Sequence, residues 1–234
     1  MTTNIKAKQI DRQGAIYILL GILVFGSIWG LLEATLGGFL NLIIFPNKGA
    51  IMSGIGMAIM GTALAIHRKP AMLPGIGIVA ASFKWLNSWL LFVPANAVQI
   101  INPAMAIVFE SLAFGLVAAF LMDRITKNAL VGTGAGVLAG LVSATAYVYF
   151  AVYVTHSPIF ARMGITSIGQ FITGNGLVQA VFAGILLPLG CLIGEKLAAK
   201  SFPVLTHRSL YYATSIAIVC LCWGISALAV ISGL

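Results

Sequence analysis

Apolar residues run in seven blocks along this chain, and polar residues are largely confined to the breaks between them. The blocks fall near 15–37, 50–66, 72–93, 103–122, 129–153, 173–194 and 210–231. Each is close to the ~20 residues that an α-helix needs to cross a bilayer. The pattern predicts an all-α fold, a polytopic membrane helix bundle of about seven transmembrane helices. It is expected as a single integral membrane domain, 1–234, with a six-helix core at 15–200 and an additional C-terminal helix at 209–232. Pro74, Pro103 and Pro188 are expected near helix ends, where the missing N–H and fixed φ do least harm.

Composition agrees with the pattern. Of 234 residues, 60% are hydrophobic and 8% charged, and mean hydropathy is +1.06. Soluble domains carry about 25% charged residues, so an ordinary water-soluble fold is excluded. The net charge of +8 gives no case for a nucleic-acid partner. The basic residues sit at block ends and form no patch interleaved with aromatics. They set orientation instead. With the N-terminus in the cytoplasm, the inner side carries Lys6, Lys8, Arg12, Arg68, Lys69, Arg124, Lys127, Lys196, Lys200 and Arg208, and the outer side only Lys48 and Arg162. That bias predicts an N-terminus inside. The first apolar run follows a basic stretch but no small-residue cleavage site, and is read as a retained helix rather than a signal peptide.

Glycine falls where helices would meet. Gly26 and Gly30 form a G-x-x-x-G in the first block; Gly54, Gly56 and Gly61 lie in the second, and Gly132, Gly134, Gly136 and Gly140 in the fifth. No strand precedes the run at 132–136, so it is read as helix-contact surface rather than a nucleotide loop. Cys191, Cys220 and Cys222 lie inside apolar blocks and suggest small fillers, with neither a disulfide framework nor a metal site.

Three ionisable residues break the pattern: Glu33, Lys84 and Glu110 lie inside apolar blocks. A charge at that depth is costly unless paired, hydrated or neutralised, and such residues commonly serve function. With a 1.5 Å rise per residue and the N-terminus inside, all three fall on the outer side of the midplane. Trp85, Asn87 and Trp89 lie close by in the third block; Trp85 and Trp89, four apart, share a helix face. Asn96 lies in the following connection, Tyr147 near the outer end of the fifth block, and Asn175 near the outer start of the sixth. The outer connections near 38–49, 94–102 and 154–172 are apolar and nearly uncharged, so they are expected to fold back as buried caps. Together these residues predict an outward-facing ligand pocket: Glu33, Lys84 and Glu110 for charge, Trp85 and Trp89 for a ring or cation, and Asn87, Asn96, Tyr147 and Asn175 for polar contacts. The bland alternatives stand beside it. The aromatics also suit an interfacial belt, and Glu33 and Lys84 also suit a purely structural pair.

No cofactor, metal or enzymatic chemistry is indicated. The three histidines lie near block ends, with no H-x-x-x-H, E-x-x-H or ATPase loop. The apolar connection at 38–49, the Pro46-Asn47-Lys48-Gly49 turn opening a glycine-rich helix, and the outward pocket resemble the S component, the substrate-binding membrane subunit, of energy-coupling factor transporters. The resemblance spans roughly 15–200 and is one of architecture. Two features depart from it: the seventh helix is extra, and Gly21, Gly26 and Gly30 replace the alanine-rich contact motif on the first helix. It implies uptake of a small vitamin-like or ring compound, a membrane coupling subunit and cytoplasmic ATPases as partners, and multi-pass residence in a prokaryotic plasma (inner) membrane. Two other expectations compete: an ion- or proton-coupled carrier using Glu33 and Glu110, and a non-catalytic subunit that anchors or scaffolds a larger complex.

Overall fold

The computed structural model describes residues 2–158, 164–200 and 208–233, with side chains from Gly14 onward except Arg208. The side chains of Lys6, Lys8, Arg12 and Arg208, and all of Arg162 and His207, therefore lie outside the described residues. Every regular element among the described residues is helical: α1 Thr2–Ala34, α2 Leu36–Leu42, α3 Lys48–His67, α4 Leu73–Leu91, α5 Val98–Ile125, α6 Ala129–Tyr153, the short α7 Ile168–Phe171, α8 Leu177–Ala199 and α9 Arg208–Ile231. A 3₁₀ turn, Pro70–Met72, leads into α4, and a π-helical turn, Ile172–Gly176, leads into α8. Six helical stretches are long and apolar enough to cross a membrane: Gly14–Leu42, Lys48–His67, Val98–Ile125, Ala129–Tyr153, Ile168–Ala199 and Ser209–Ile231. The chain is thus a multi-pass membrane protein. The helix α4 has 19 residues, but Lys84, Asn87 and Ser88 lower its hydropathy below that of the other six.

Local chemistry marks the helix ends. Asn128 caps α6, its Oδ1 accepting from the N–H of Leu130 at 2.9 Å and of Val131 at 3.4 Å. Arg68 and Phe92 close α3 and α4 in the left-handed conformation, with φ of 50° and 53°. Lys69-Pro70 then prevents α3 from continuing.

The long helices pack in a closed order, α1 to α4 to α5 to α6 to α8 to α3 and back to α1, while α9 lies on the outside against α1 and α4. The helix α3 is the most enclosed, with 67% of its membrane-length window buried against 28% for α1. Its most extensive contact is with α8. Small residues make that approach close. A Cβ on Gly190 would meet the carbonyl oxygen of Ala58, and one on Gly194 would lie 2.5 Å from the carbonyl oxygen of Thr62. Thr62 Oγ1 sits 2.9 Å from both Ala58 O and Gly190 O, so its hydroxyl hydrogen is shared across the seam. The glycines of α6 serve α8 in the same way: Gly136 faces Ala183 and Gly140 faces Ala180. Gly26 and Gly30 turn toward Val79 and Phe83 of α4. The main apolar core gathers Trp29, Met57, Met60, Leu64, Met72, Ile76, Phe114 and Leu187.

Two expectations are corrected. The outer connections are not buried caps: Pro94, Ala95 and Asn96 are exposed, as are Val154, His156, Pro158 and Thr166 among the described residues of 154–172, and so is the connection at 38–49. It forms α2, and Phe39, Leu42, Ile43, Ile44 and Phe45 are all exposed. Helical hydrogen bonding runs straight through the junction, Thr35 N–H to Leu31 O and Phe39 N–H to Thr35 O, so α2 extends α1 instead of folding back. With its backbone largely satisfied internally, it needs no protein cover in an apolar medium. Pro188 is not near a helix end: α8 runs on to Ala199 and places it inside the helix.

Candidate functional site

Consecutive long helices alternate in direction, so one end of the bundle collects the C-terminal halves of α1, α4 and α6 and the N-terminal halves of α3, α5 and α8. Most of the buried polar chemistry gathers there. Glu33 of α1 and Lys84 of α4 pair, with Lys84 Nζ 2.7 Å from Glu33 Oε2, and their side chains are 11% and 15% exposed. The ammonium also reaches the Glu33 carbonyl at 3.4 Å. The pair forms because two charges in an apolar bundle find each other more cheaply than either finds water. Glu33 Oε2 lies close to Gly37 one turn on, where a Cβ would also touch Met52 of α3. The pair thus sits near the start of α3.

Glu110 of α5 is 6% exposed and makes no ion pair among the described residues. Gln179 of α8 donates from Nε2 to Glu110 Oε1 at 3.3 Å and to Ser143 Oγ of α6 at 3.1 Å. Ser53 of α3 stands beside the same carboxyl, and the charge of Glu33 is near enough to act on it. Side chains of α8 and α3 therefore meet the carboxyl of α5, and Ser143 of α6 is joined to it through Gln179.

Six buried polar side-chain atoms have no hydrogen-bond partner among the described residues: Trp29 Nε1, Ser53 Oγ and Asn87 Oδ1 on the three helices that carry or adjoin these charges, and Ser27 Oγ, His67 Nδ1 and Ser226 Oγ elsewhere. Trp29 is fully buried, one turn inward of Glu33, with its indole laid over Gly56 where a Cβ would collide with the ring. Ser53 lies one turn along α3 from that contact. Asn87 is one turn outward of Lys84.

The other sequence-predicted residues take varied positions. Trp85 is partly buried against the main core, while Trp89, one turn on, is 82% exposed. Asn96 is exposed in the turn between α4 and α5. Tyr147 packs with Phe171 in a small separate apolar cluster. Asn175 lies in the π turn, four residues before Gln179. The structure brings Glu33 and Lys84 into contact, with Asn87 and Glu110 close by. It adds Trp29, Ser53, Ser143 and Gln179, which sequence reasoning did not select. Gln179 carried a usable signal, an amide inside an apolar block; the serines carried none. Lys48 is a further cation near Lys84, and its ammonium is hydrogen-bonded to Asn41 Oδ1 of α2.

The opposite end has a different character. There a cavity of ≈ 170 Å³ lies between α1, α3 and α9, lined by Tyr17, Phe25, His67, Tyr211 and Ser215 among others. Tyr17 stacks on Tyr211 with ring centroids 4.6 Å apart. Arg68 reaches from the end of α3 to Asp123 at 3.6 Å and to Thr126 Oγ1 at 3.3 Å.

These features define an all-helical multi-pass membrane protein with a buried polar cluster at one end of its bundle. Comparison with protein-family models, with curated proteins and with solved structures gives no match.

Proposed function

We propose that this chain is the solute-binding membrane subunit of a transporter, holding a small solute among α1, α3, α4 and α5 in the outer half of the bundle. One observation carries the reading. Trp29 Nε1, Ser53 Oγ and Asn87 Oδ1 are buried and unpartnered among the described residues, on the end of the bundle that holds the Glu33–Lys84 pair and Glu110. Buried polar groups in native structures are nearly always hydrogen-bonded, and each one left bare costs about 1–3 kcal/mol. A bound solute that supplies the missing partners accounts for all three. In this reading the Glu33–Lys84 pair is the latch of the site.

The topology that goes with this reading has seven spans, α4 being the seventh, with the N-terminus in the cytoplasm of a prokaryotic cell. A span that carries a lysine and an asparagine is tolerated because both face protein rather than lipid. The architectural resemblance to S components extends the proposal to a coupling subunit and cytoplasmic ATPases as partners.

Native mass spectrometry of the detergent-purified chain tests the reading. Wild type should release a small molecule on activation, and Lys84→Ala and Asn87→Leu should be purified empty. A wild type that carries and binds no solute sinks it. Glu110 supports a second reading: a buried carboxyl with no ion pair among the described residues suits a carrier driven by protons. Uptake in proteoliposomes driven by a pH gradient alone would favour that reading. Intact uptake with loss of a larger complex in Lys84→Ala and Glu110→Gln would favour a scaffold instead.

A further inference from the structure

We infer that the cavity between α1, α3 and α9, at the end of the bundle opposite the polar cluster, seats one acyl chain of an anionic phospholipid. The site is separate from the solute site and does not depend on it. Its walls follow the helix axes. Tyr17, Gly21 and Val24 line it from α1, and Tyr211, Ser215 and Ile218 from α9. Both sets step by four and then three residues, so each keeps to one helix face. Seven residues of helix rise about 10 Å. The cavity is therefore a slot running along the helices, the direction in which lipid chains also run. At one end Tyr17 stacks on Tyr211, beside His67, the last residue of α3. Val24 and Ile218 lie about two turns deeper, inside stretches of membrane-spanning length.

Size and polarity choose the occupant. The surface presented to the slot is almost wholly apolar, so water finds too few partners there. Pockets for drug-sized ligands run to about 300–1,000 Å³. The slot holds ≈ 170 Å³, close to the roughly 150 Å³ of an apolar cavity that takes up benzene, and so has room for a chain segment of about six carbons. Left empty, its walls forgo dispersion contacts, and in a bilayer the apolar molecule at hand is lipid. The packing of α9 shows where the space comes from. Its second half is seated, with Cys222, Ser226, Ala229 and Val230 buried and the Trp223 ring 4.2 Å from that of Phe83. Its first half borders the slot. Charge selects the head group. Among the described side chains this end of the bundle carries Arg68, Lys69, Arg124, Lys127, Lys196 and Lys200 against Asp123 and Glu195. Arg68 is engaged with Asp123. Lys69, two residues beyond His67, is exposed and has no ion pair among the described residues. Cations so placed attract anionic lipid.

The test uses the full chain in detergent, with dioleoylphosphatidylglycerol, dioleoylphosphatidylcholine or inorganic phosphate added. Retention is read by native mass spectrometry and stabilisation by thermal unfolding. One phosphatidylglycerol per chain should be retained and should raise the melting temperature, and phosphate alone should do neither. Val24→Phe, which fills the slot, should lose the lipid and its stabilisation while melting no lower than lipid-free wild type. Ile218→Phe repeats that test from the facing helix. Lys69→Gln should weaken retention of phosphatidylglycerol about fivefold, the worth of one cation near an anionic lipid surface, and leave that of phosphatidylcholine unchanged. Asn87→Leu, at the opposite end, should keep the lipid. Retention unchanged in both filling variants overturns the slot as the site. Equal retention of the two lipids overturns the anionic head group. A lipid-free dimer that the filling variants abolish puts a second copy of the chain there instead. No retained lipid and no stabilisation overturns the proposal and leaves the solute reading standing.

Discussion

The two sides of α3 solve opposite problems. Toward α8, Gly54, Ala58 and Thr62 recur every four residues and meet Phe182, Leu186, Gly190 and Gly194. Its one hydroxyl there, on Thr62, has partners on both helices. Toward α1 and α5, the same helix presents Gly56 to a fully buried tryptophan and Ser53 to a buried carboxyl, and two polar atoms on that side remain unpartnered among the described residues. Membrane helices cannot rely on a strong hydrophobic drive to associate, because lipid is as apolar as leucine. Close backbone approach and satisfied hydrogen bonds hold the α8 side. The α1 side sacrifices that completeness, which is expected of a surface shaped for a third molecule and not of one shaped for packing.

The largest effect should come from breaking the latch. Lys84→Ala leaves Glu33 as an uncompensated buried charge, and a loss of about 3–5 kcal/mol is expected in reversible unfolding from detergent. The double variant Glu33→Leu with Lys84→Met sharpens the contrast: stability should return to within about 1 kcal/mol of wild type while solute retention stays lost. A double variant that keeps its solute would make the pair ordinary packing. Next comes the seam. Gly190→Ala drives a Cβ into the Ala58 carbonyl, and overpacking of this kind costs about 1–3 kcal/mol. Solute retention per folded molecule should not change, which separates the seam from the site. Thr62→Val removes the shared hydroxyl and should cost about 1 kcal/mol, read by the same unfolding measurement. Smallest is Arg68→Ala at the other end, where the partners are 46% and 88% exposed. A loss below about 1 kcal/mol is expected, shrinking as salt is raised.

The helices were legible because apolar run length is a local property, and each of the seven blocks coincides with a long helix. Glu33, Lys84 and Glu110 were legible for a related reason: a charge in an oily run must be resolved by something, and here Lys84 resolves Glu33. Their companions were not. A serine in a membrane helix usually bonds its own preceding turn, as Ser111 and Ser143 do with Val108 O and Gly140 O, so nothing local sets Ser53 apart. Trp29 gave no local signal because its burial depends on Gly56, which lies 27 positions away. The exposure of α2 was missed because an apolar connection gives no sign whether it faces protein or lipid. Trp89, paired with Trp85 by spacing alone, ended 82% exposed because a shared helix face crosses from core to boundary as the helix leaves the bundle.

The π turn at Ile172–Gly176 has a consequence for movement. A π turn holds more residues than an α turn, and reverting it to regular α geometry shifts the helix ahead of it by one residue, a rotation of about 100° at 3.6 residues per turn. Gln179 lies just after the turn and is fastened to Ser143 and Glu110; Phe171 and Tyr147, which pack together, lie before it and across from it. The turn is therefore a natural swivel. A change of one residue in this turn would re-aim the segment leading into α8 over the polar end of the bundle without disturbing the glycine seam, which lies beyond it on α8.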